Sequence, residues 1–343
     1  MTTQIAVDAM GGDHGPAEIV QGAIDAAREL DTDILLVGDE FQVRAAFGGK
    51  ERPANIRIVH AADTIGMDAH PTEAVRAHPD ASINVALRHV KEGAAGAFVT
   101  MGNTGAAMTA ALLTLGRVKG IARPALATIF PNSQGTLTML IDVGANAECR
   151  PQHLVQFAHM GATYMQSVLH IENPRVGLLS IGEEDTKGND LVIEVNQELR
   201  KSRLNFAGNI EGTDLARGVV EVAVMDGFTG NVVLKTAEGL AEMLFGELRS
   251  AVESKPWNKL AGLVLRPDLR KVRSRLDYSE YGGAQLLGVN GVTVIGHGRS
   301  NARAVTNAIR AAHDALVNDV LAGMRAVAGE APAKPGAGDS SES

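Results

Sequence analysis

The sequence contains one cysteine, Cys149, among its 343 residues. No disulfide can therefore form within the chain, which is typical of proteins from reducing compartments. A lone thiol is more often a small buried side chain than a nucleophile, so we expect Cys149 to be structural. The composition predicts a cytoplasmic protein.

Aromatic residues are scarce as well, at 3% of the chain, whereas glycine occurs 38 times. Flat stacking sites for nucleic-acid bases are therefore not expected. The 40 acidic and 32 basic residues give a net charge of -8, which argues against a general affinity for nucleic acid or anionic lipid. Only local basic patches could bind such partners.

Long hydrophobic runs are also missing. The longest apolar segment, near residues 106–115, is about half of the ~20 residues that a membrane-spanning helix needs. The first residues, Met1 to Gln4, lack the charged and apolar regions of a signal peptide. We expect neither a transmembrane segment nor export.

The common motifs of nucleotide, metal and serine-hydrolase sites are absent. Gly296-x-Gly298 has Asn301 where a dinucleotide fingerprint needs its third glycine, and no G-x-x-x-x-G-K-S/T segment occurs. There is no H-E-x-x-H, no pair of C-x-x-C elements and no G-x-S-x-G elbow. The sequence predicts no metal and no cofactor.

What the chain does contain is an alternation of short apolar strands and longer helices. Strands are predicted at 4–7, 34–37, 56–59, 97–99, 125–129, 137–141, 176–179, 220–224 and 292–295, and helices at 16–30, 82–92, 105–115, 151–169, 189–201, 230–252 and 300–321. Continuously apolar strands are buried on both faces, which favours a mainly parallel sheet between helices. We predict one large α/β domain over residues 1–327 without an internal repeat.

Two C-terminal segments depart from this pattern. Residues 328–343 consist of small and polar residues that cannot bury a face, so we expect a disordered tail. Residues 254–276 carry seven basic residues and one acid, Asp268, beside apolar residues at helical spacing. Because Pro267 interrupts the spacing, we predict an amphipathic helical hairpin, which could bind anionic lipid or an acidic partner, or pack on the body or on a second subunit.

Five glycine-rich loops follow predicted strands and precede helices. They lie at 8–16, 100–105, 181–189, 226–231 and 296–301, and residues 142–146 end a further strand. In a parallel sheet such loops gather at the carboxyl edge, where helix N-termini receive anions. The sequence therefore predicts that the five loops converge on one phosphate or anion site.

Two polar residues in these loops could act in chemistry. Lys187 lies in a glycine-flanked acidic loop, where it could approach a phosphate or an oxyanion, or simply pair with a neighbouring carboxylate. Asn231 follows Gly230 at a predicted helix start, where an N-cap would explain it equally well.

Several ordered segments give the chain a close resemblance to a known family. They are IAVDAMGGDHGP at 5–16, GNTGA at 102–106, LGRVKGIARPALA at 115–127, DVGANAECRPQHL at 142–154, NPRVGLLSIGEEDTKGN at 173–189, DGFTGNVVLK at 226–235, DYSEYGGA at 277–284 and GHGRSNARA at 296–304. Over residues 4–315 the chain resembles the bacterial acyl-acyl-carrier-protein:phosphate acyltransferases of phospholipid synthesis.

The resemblance implies both a fold and an activity. The fold is a three-layer α/β/α arrangement similar to isopropylmalate dehydrogenases and phosphotransacetylases, assembled as a homodimer. The activity is the reversible transfer of a fatty acyl group from acyl-acyl carrier protein to inorganic phosphate, without metal or nucleotide. The acyl phosphate then passes to a membrane glycerol-3-phosphate acyltransferase, which implies a protein held peripherally at the inner face of the membrane.

The resemblance also implies roles for particular residues. Lys187 and Asn231 are expected to stabilise the oxyanion of the tetrahedral intermediate. Phosphate or substrate contacts are expected from Gly11, Gly12, His14, Gly102, Asn103, Thr104, Asn146, Gly182, Gly230, His297, Ser300 and Asn301. Asp8 and Asp13, as anions, are expected to orient neighbouring groups instead.

The predicted hairpin has two possible partners in this reaction, since the carrier protein is acidic and the product enters the membrane. Contacts are expected from Trp257, Leu260, Leu263, Val264, Leu265, Arg270, Lys271 and Arg273, with Leu263 to Leu265 at the inserting tip. Two departures from the family limit the resemblance. Residues 77–82 read Ala-His-Pro-Asp-Ala-Ser where relatives have basic residues and Asp-Ser-Ser, and Arg299 replaces a small residue.

Two rival functions remain from the sequence. One is an acyl-coenzyme A phosphotransacetylase, which would not accept acyl carrier protein as donor. The other is a non-catalytic membrane scaffold, which would bind carrier protein without turnover.

Overall fold

The computed structural model describes residues 3–276 and 278–330. Its strands are β1 (Ile5–Asp8), β2 (Ile34–Gly38), β3 (Ile56–His60), β4 (Ala97–Thr100), β5 (Ala125–Pro131), β6 (Leu137–Ile141), β7 (Val176–Leu179), β8 (Phe206–Ile210), β9 (Val222–Val224), β10 (Ala284–Leu287) and β11 (Val292–Ile295). They form one sheet in the order β3-β2-β1-β4-β11-β10-β5-β6-β9-β7-β8.

Helices cover both faces of this sheet. They are α1 (Gly15–Glu29), α2 (Glu40–Ala46), α3 (Pro71–Ala77), α4 (Ser82–Lys91), α5 (Thr104–Thr114), α6 (Pro151–Leu169), α7 (Asp190–Lys201), α8 (Gly212–Arg217), α9 (Gly227–Glu253), α10 (Pro256–Leu276), α11 (Ala302–Val317) and α12 (Val320–Glu330), with a 3-10 turn at Tyr278–Tyr281.

The sheet consists of two parallel halves that run in opposite directions. Strands β3, β2, β1, β4 and β11 are mutually parallel, as are β6, β9, β7 and β8. Between them, β10 is antiparallel to β11 and to β5, and β5 is antiparallel to β6. Three reversals separate β11 from β6, so the carboxyl ends of the two halves lie at opposite edges of the sheet.

The core has two layers because successive strand residues point to opposite faces. Ile5 and Val7 of β1 belong to one buried cluster, which includes side chains of α1, α6, α11 and α12. Ala6 belongs to the second cluster, with side chains of α4 and α5. The predicted α/β class and its mainly parallel sheet between helices are therefore confirmed.

Several helices begin where a loop side chain caps the first turn. Asn103 Oδ1 accepts the N–H of Ala106 at 3.0 Å, and Asp226 Oδ1 accepts that of Thr229 at 2.9 Å. Asn301 Oδ1 accepts the N–H of Ala304 at 3.0 Å in the same way. These caps satisfy amides that the helix itself cannot pair, and they fix the angle at which each helix leaves its strand.

The hairpin predicted within residues 254–276 is wrong in its position. Helix α10 runs unbroken from Pro256 to Leu276 and contains Pro267. The hairpin that the structure shows consists of α9 and α10, with its turn at residues 254–255. A Cβ at Gly262 would lie 2.3 Å from Val252 Cγ1, so this glycine lets the two helices approach closely.

The predicted start of the disordered tail is also wrong. Helix α12 continues to Glu330, and Met324 and Val327 are buried. Their burial against the body stabilises a helix that local composition disfavours. The rest of the predicted tail, 331–343, lies outside the described residues.

The two halves of the sheet share a short structural motif, although no internal repeat was predicted. A buried aspartate stands at the end of β1, as its last residue Asp8, and directly after β6, as Asp142. Strands β4 and β9 are each followed by Gly-x-Thr-Gly, at 102–105 and 227–230. In each half the aspartate loop packs on the Gly-x-Thr-Gly loop, which places two similar clusters in the molecule.

Candidate active site

The first cluster is organised by the buried Asp8. Its Oδ1 accepts the N–H of Met10 at 3.1 Å, and its Oδ2 accepts the hydroxyl of Thr100 at 2.7 Å. Burial raises the pKa of Asp8, and hydrogen bonds from Ser82, Thr100, Met10 and Gly11 oppose that rise. Asp8 therefore orients the amides of the loop after β1, as the sequence predicts.

The glycines of this cluster allow three loops to meet backbone to backbone. A Cβ at Gly11 would lie 2.6 Å from the amide nitrogen of Gly102. Gly12 has a φ of 88°, and a Cβ there would lie 3.0 Å from the carbonyl oxygen of Gly298. The N–H of Asp13 donates to that same oxygen at 2.7 Å. The loops after β1, β4 and β11 thus converge, as predicted for this half of the sheet.

The second cluster is organised by Asp142, whose two carboxylate oxygens accept five N–H bonds. Oδ1 accepts from the amides of Leu126, Gly144 and Ala145 at 2.9–3.1 Å. Oδ2 accepts from the amide and the side chain of Asn146, each at 2.8 Å. Burial raises the pKa of Asp142, and these donors oppose the rise. Because every partner is a donor, the geometry suits a carboxylate.

Helix α9 begins directly on this cluster. The N–H of Gly227 donates to the carbonyl oxygen of Asn146 at 2.8 Å. A Cβ at Gly230 would lie 1.9 Å from the carbonyl oxygen of Asp142, so only glycine fits there. The next residue, Asn231, is exposed, and its side chain has no hydrogen-bond partner within the described part of the chain. The N-cap of α9 is Asp226, so Asn231 is not needed for capping.

Lys187 lies on the loop after β7, the strand beside β9. Leu178 of β7 is paired with Val224 of β9, so this loop starts next to the beginning of α9. The side chain of Lys187 is exposed, and its ammonium makes no ion pair with any residue in 3–276 or 278–330. Asp185, one possible partner, is paired with Arg200 instead. Lys187, in the loop after β7, and Asn231, near the start of α9, are therefore polar side chains without a partner among the described residues.

Some predicted phosphate ligands are occupied by the fold. Besides capping α5, the Asn103 side chain donates to the carbonyl oxygens of Met67 and Ala69 at 2.9 and 3.1 Å. The Gly102 amide donates to Thr100 Oγ1 at 2.9 Å. The side chain of Asn146 donates to Asp142 and to the Pro124 carbonyl, while Asn301 caps α11. The hydrogen bonds of these four residues hold the loops in place.

The remaining predicted phosphate ligands differ in their exposure. The side chains of His14 and Thr104 are exposed at the first residues of α1 and α5, and the His14 side chain forms no capping bond. Ser300 is buried, and Gly182 is a buried glycine packed against the Lys187 stem. His297 Nδ1 accepts the N–H of Arg299 at 3.2 Å, so a neutral ring carries its proton on Nε2.

The expectation that all the loops meet at one edge is wrong. The clusters belong to halves with opposite strand direction, so strand ends alone do not bring them together. Helix α9 makes the connection, because Arg299 in the loop after β11 pairs with Glu242 of α9 at 3.2 Å. His297 also lies within electrostatic range of Lys235 and Glu238, which contribute to the shift of its pKa.

Lys235 and Glu238 were missed as candidate site residues. Lys235 ends the segment DGFTGNVVLK, and a helix starting at Gly227 places it one turn beyond Asn231 on the same face. The spacing between Asn231 and Lys235 can be read from the sequence. The sequence does not show that the loop after β11 faces this side of the helix.

The environment of Cys149 does not favour a catalytic role. Burial and the nearby Asp142 raise the pKa of the Cys149 thiol to about 11, so it is protonated near neutral pH and is a poor nucleophile.

Within residues 3–276 and 278–330, no three His, Cys, Asp or Glu side chains gather as a metal site would require. None of the helices in these ranges has the length and apolar character needed to span a bilayer.

Comparison with known proteins shows the family. A family model described as "Fatty acid synthesis protein" matches residues 3–322. The phosphate acyltransferase of Pelotomaculum thermopropionicum is 52% identical over 323 residues, covering 94% of each chain. That of Desulfitobacterium hafniense is 49% identical over 314 residues, covering 91% of this chain and 94% of its own.

A solved structure agrees with the fold. A phosphotransacetylase from Streptococcus pyogenes superposes with a TM-score of 0.62 over 92% of this chain and 94% of its own, at 16% identity. This likeness confirms the predicted phosphotransacetylase-like architecture. Together with the sequence matches, it confirms the resemblance drawn from the motifs, and the chain belongs to the fatty acid synthesis protein family, among its phosphate acyltransferases.

Proposed function

We propose that this protein transfers a fatty acyl group from acyl-acyl carrier protein to inorganic phosphate, reversibly, giving acyl phosphate for phospholipid synthesis. Membership of the phosphate acyltransferases supports the reaction class. The observation that carries the assignment of the site is a pair of unpartnered donors, Lys187 in the loop after β7 and Asn231 near the start of α9, the helix that follows the neighbouring strand β9.

The reaction needs position and charge more than a strong base. A phosphate oxygen attacks the thioester carbonyl, forming a C–O bond and an oxyanion. Collapse of the intermediate breaks the C–S bond, and the thiolate leaves. With a pKa of about 8.5, a thiol is an adequate leaving group and takes a proton from solvent near neutral pH.

We assign oxyanion stabilisation to the Lys187 ammonium and the Asn231 amide, donors of the kind that work best when held ready in place. Phosphate is assigned to His14, Thr104, His297 and Ser300, which follow strands of the other half of the sheet, with backbone amides of the glycine loops. No step in this scheme passes through a thiol of the enzyme, which agrees with the raised pKa of Cys149.

Membrane contact is the second part of the proposal. The hairpin of α9 and α10 exposes Trp257, Leu260, Leu263, Val264 and Leu265. Basic residues Lys255, Lys259, Arg266, Arg270 and Lys271 are exposed on the same helix or just before it, and Asp268 pairs with Lys271 at 3.6 Å. The side chain of Arg273 lies outside the described residues.

An apolar ridge flanked by cations suits a helix lying on anionic lipid. We therefore place the protein peripherally at the cytoplasmic face of the membrane, where a glycerol-3-phosphate acyltransferase would receive the product. Because the hairpin turn is at residues 254–255, Trp257 and Leu260 lie nearest the tip, and Leu263 to Leu265 follow one to two turns later.

Homodimerisation is the third part. Helix α9 exposes Leu240, Met243, Leu244 and Leu248, whose spacing places them on one face. Monomeric proteins rarely expose such a stripe, and a second copy of α9 would bury it symmetrically.

The decisive experiment mixes the purified protein with acyl-acyl carrier protein, with and without phosphate. Free thiol and hydroxylamine-trappable acyl product are followed together. The proposal requires both to appear only with phosphate and in equal amounts. Thiol release without phosphate would indicate a thioesterase, and carrier-protein binding without turnover would indicate a scaffold.

A further inference from the structure

The helix face that carries Asn231 continues along α9. Lys235, Glu238 and Glu242 follow at spacings of four, seven and eleven residues, so they share that face. The loop after β11 lies against it, since Arg299 Nη2 is 3.2 Å from Glu242 Oε1. A strip of polar side chains therefore runs from the proposed oxyanion site toward the loop of the other half of the sheet.

Glu238 is the unusual member of this strip. Its side chain is only 15% exposed, and its Oε2 accepts the ammonium of Lys235 at 2.8 Å. Its Oε1 is buried and has no hydrogen-bond partner in the part of the chain that the structure describes. A buried carboxylate oxygen without a donor is unfavourable, so such a group is expected to meet a donor in the working protein.

The neighbouring His297 does not supply that donor in this structure. Its Nδ1 accepts the N–H of Arg299, and its Nε2 makes no bond with Glu238 Oε1. The charged groups around the ring are Lys235, Glu238, Arg299 and Asp13. Burial and Lys235 lower the pKa of His297, so it remains a neutral ring near pH 7 and does not act as a counter-ion for Glu238.

The two substrates of the proposed reaction differ in what they could offer Glu238. Phosphate is an anion, which a carboxylate repels. The acyl group, in contrast, is carried by the phosphopantetheine arm of the carrier protein, whose pantetheine part is uncharged and contains two amide N–H groups. With the thioester at Asn231, an arm lying along α9 would pass Glu238, about 10 Å away at a rise of 1.5 Å per residue.

We propose that the acyl donor displaces what covers Glu238 Oε1 in this structure, and that this oxygen then accepts an amide N–H of the donor's pantetheine arm, with Lys235 held beside it by the ion pair to Oε2. This subsite rests on the acyl transfer proposed above and adds the group that recognises the donor. Glu238 then touches substrate away from the reacting atoms and sets preference for thioesters that carry the arm.

The test compares donors that differ only in the arm. Acyl-pantetheine has both amides, whereas the ethanethiol thioester of the same acid has none. We expect Glu238→Ala to lower kcat/KM for acyl-pantetheine about tenfold or more, as loss of a hydrogen bond to a charged group does. For the ethanethiol ester the change should stay within about twofold, and Glu238→Gln should recover part of the loss.

The matched control is Glu198→Ala, which removes a glutamate of α7 that pairs with Lys201 three residues away, as Glu238 pairs with Lys235, but lies outside the strip. It should treat both donors as the unaltered protein does. Equal losses on both donors with Glu238→Ala would show a purely structural role and overturn the subsite. The KM for phosphate should not change, and a selective rise in that KM would also overturn it.

Should the ethanethiol ester not be turned over by the unaltered protein, the S-alkyl thioethers of the two thiols serve as competitive inhibitors in its place. Glu238→Ala must then weaken inhibition by the pantetheine thioether selectively. Failure of both pantetheine compounds with an active protein would overturn the subsite. Failure of the unaltered protein to form acyl phosphate from carrier protein would instead overturn the proposed function.

Discussion

The carbonyl oxygen of Asp142 occupies the space where a side chain at Gly230 would begin, 1.9 Å from the position of a Cβ. The first turn of α9 is thereby pressed onto the loop that Asp142 organises. The same contact places Asn231, the next residue, at the edge of the second cluster. Backbone packing between Gly230 and Asp142 therefore determines where Asn231 lies.

Replacing Gly230 with alanine should displace the start of α9. We expect a loss of about 1–3 kcal/mol in the free energy of unfolding, as for other overpacked sites, and a fall in kcat of at least about tenfold. Urea unfolding and turnover measure the two effects. Gly239→Ala is the matched control, because a Cβ there meets nothing within 4 Å and α9 should gain about 0.5–1 kcal/mol. Equal behaviour of the two variants would refute the argument.

Removing the Lys187 ammonium should slow the chemical step. We expect Lys187→Ala, and separately Asn231→Ala, to reduce kcat by about 10²-fold or more, with a smaller effect on binding of the carrier protein. Steady-state kinetics with acyl-acyl carrier protein tests this. Lys201→Ala, which removes an exposed lysine paired with Glu198, should be neutral. Near-normal turnover of Lys187→Ala would exclude it from the mechanism.

Acid should weaken the fold in part through His153. The N–H of Arg150 donates to His153 Nδ1 at 3.1 Å at the start of α6, which requires a neutral ring. Burial, with Arg123 and Arg150, lowers the pKa of His153. Between that value and the unfolded value of about 6.5, the unfolded chain binds more protons, so stability is lost as the pH falls.

His153→Gln keeps an acceptor at this capping position without a titrating ring. Urea unfolding from pH 7.5 to pH 5 should therefore show a shallower loss of stability for His153→Gln than for the unaltered protein. His297, whose pKa is also lowered, titrates in both proteins and cancels from the comparison. Parallel pH profiles would contradict the assignment.

Membrane binding should depend most on the residues nearest the hairpin turn. We expect Trp257→Glu with Leu260→Glu to abolish sedimentation with phosphatidylglycerol vesicles, because two charges would have to enter the interface. Val264→Glu with Leu265→Glu should weaken it less. Leu112→Glu with Leu113→Glu, an exposed apolar pair on α5, is the control and should bind normally. Full binding by both hairpin variants would remove the hairpin as the contact.

Dimerisation should depend on the apolar face of α9. Leu244→Glu is expected to give a monomer at micromolar concentration, because it places a charge in the middle of that face. Sedimentation equilibrium measures the mass. A similar change at Phe41, an exposed residue of α2, should leave the mass unchanged. A monomeric unaltered protein would contradict the proposed assembly outright.

Local patterns predicted most of the fold because each strand and cap is specified by nearby residues. Ile34 to Val37 reads as a buried strand without reference to anything distant. The strand Ala284–Leu287 was missed, since it is short and contains the buried Gln285. That omission hid a reversal of strand direction, and with it the separation of the two clusters.

The candidate site was predicted to the extent that it depends on loop composition. Asp8 was expected to orient neighbouring groups, and it accepts the amide N–H of Met10. The occupied amide of Asn103 could not be foreseen, because its partners Met67 and Ala69 are more than thirty residues away. Nor could Pro267, a strong local stop signal, show that packing of Gly262 on Val252 supports the helix around it.

Helix α9 is a single helix of 27 residues that begins at Gly227, against the loop that Asp142 organises, and ends at the hairpin turn. Its length is about 40 Å, whereas one leaflet of a bilayer core, the span of one fatty chain, is about 15 Å thick. If transfer takes place beside the first turn of α9 and the hairpin turn touches lipid, as proposed, a fatty chain held at the site cannot reach that lipid while its carbonyl group is being transferred. In that arrangement the product must move along the protein, or pass to a second protein, before it meets lipid. The length of the rigid helix α9 sets that distance.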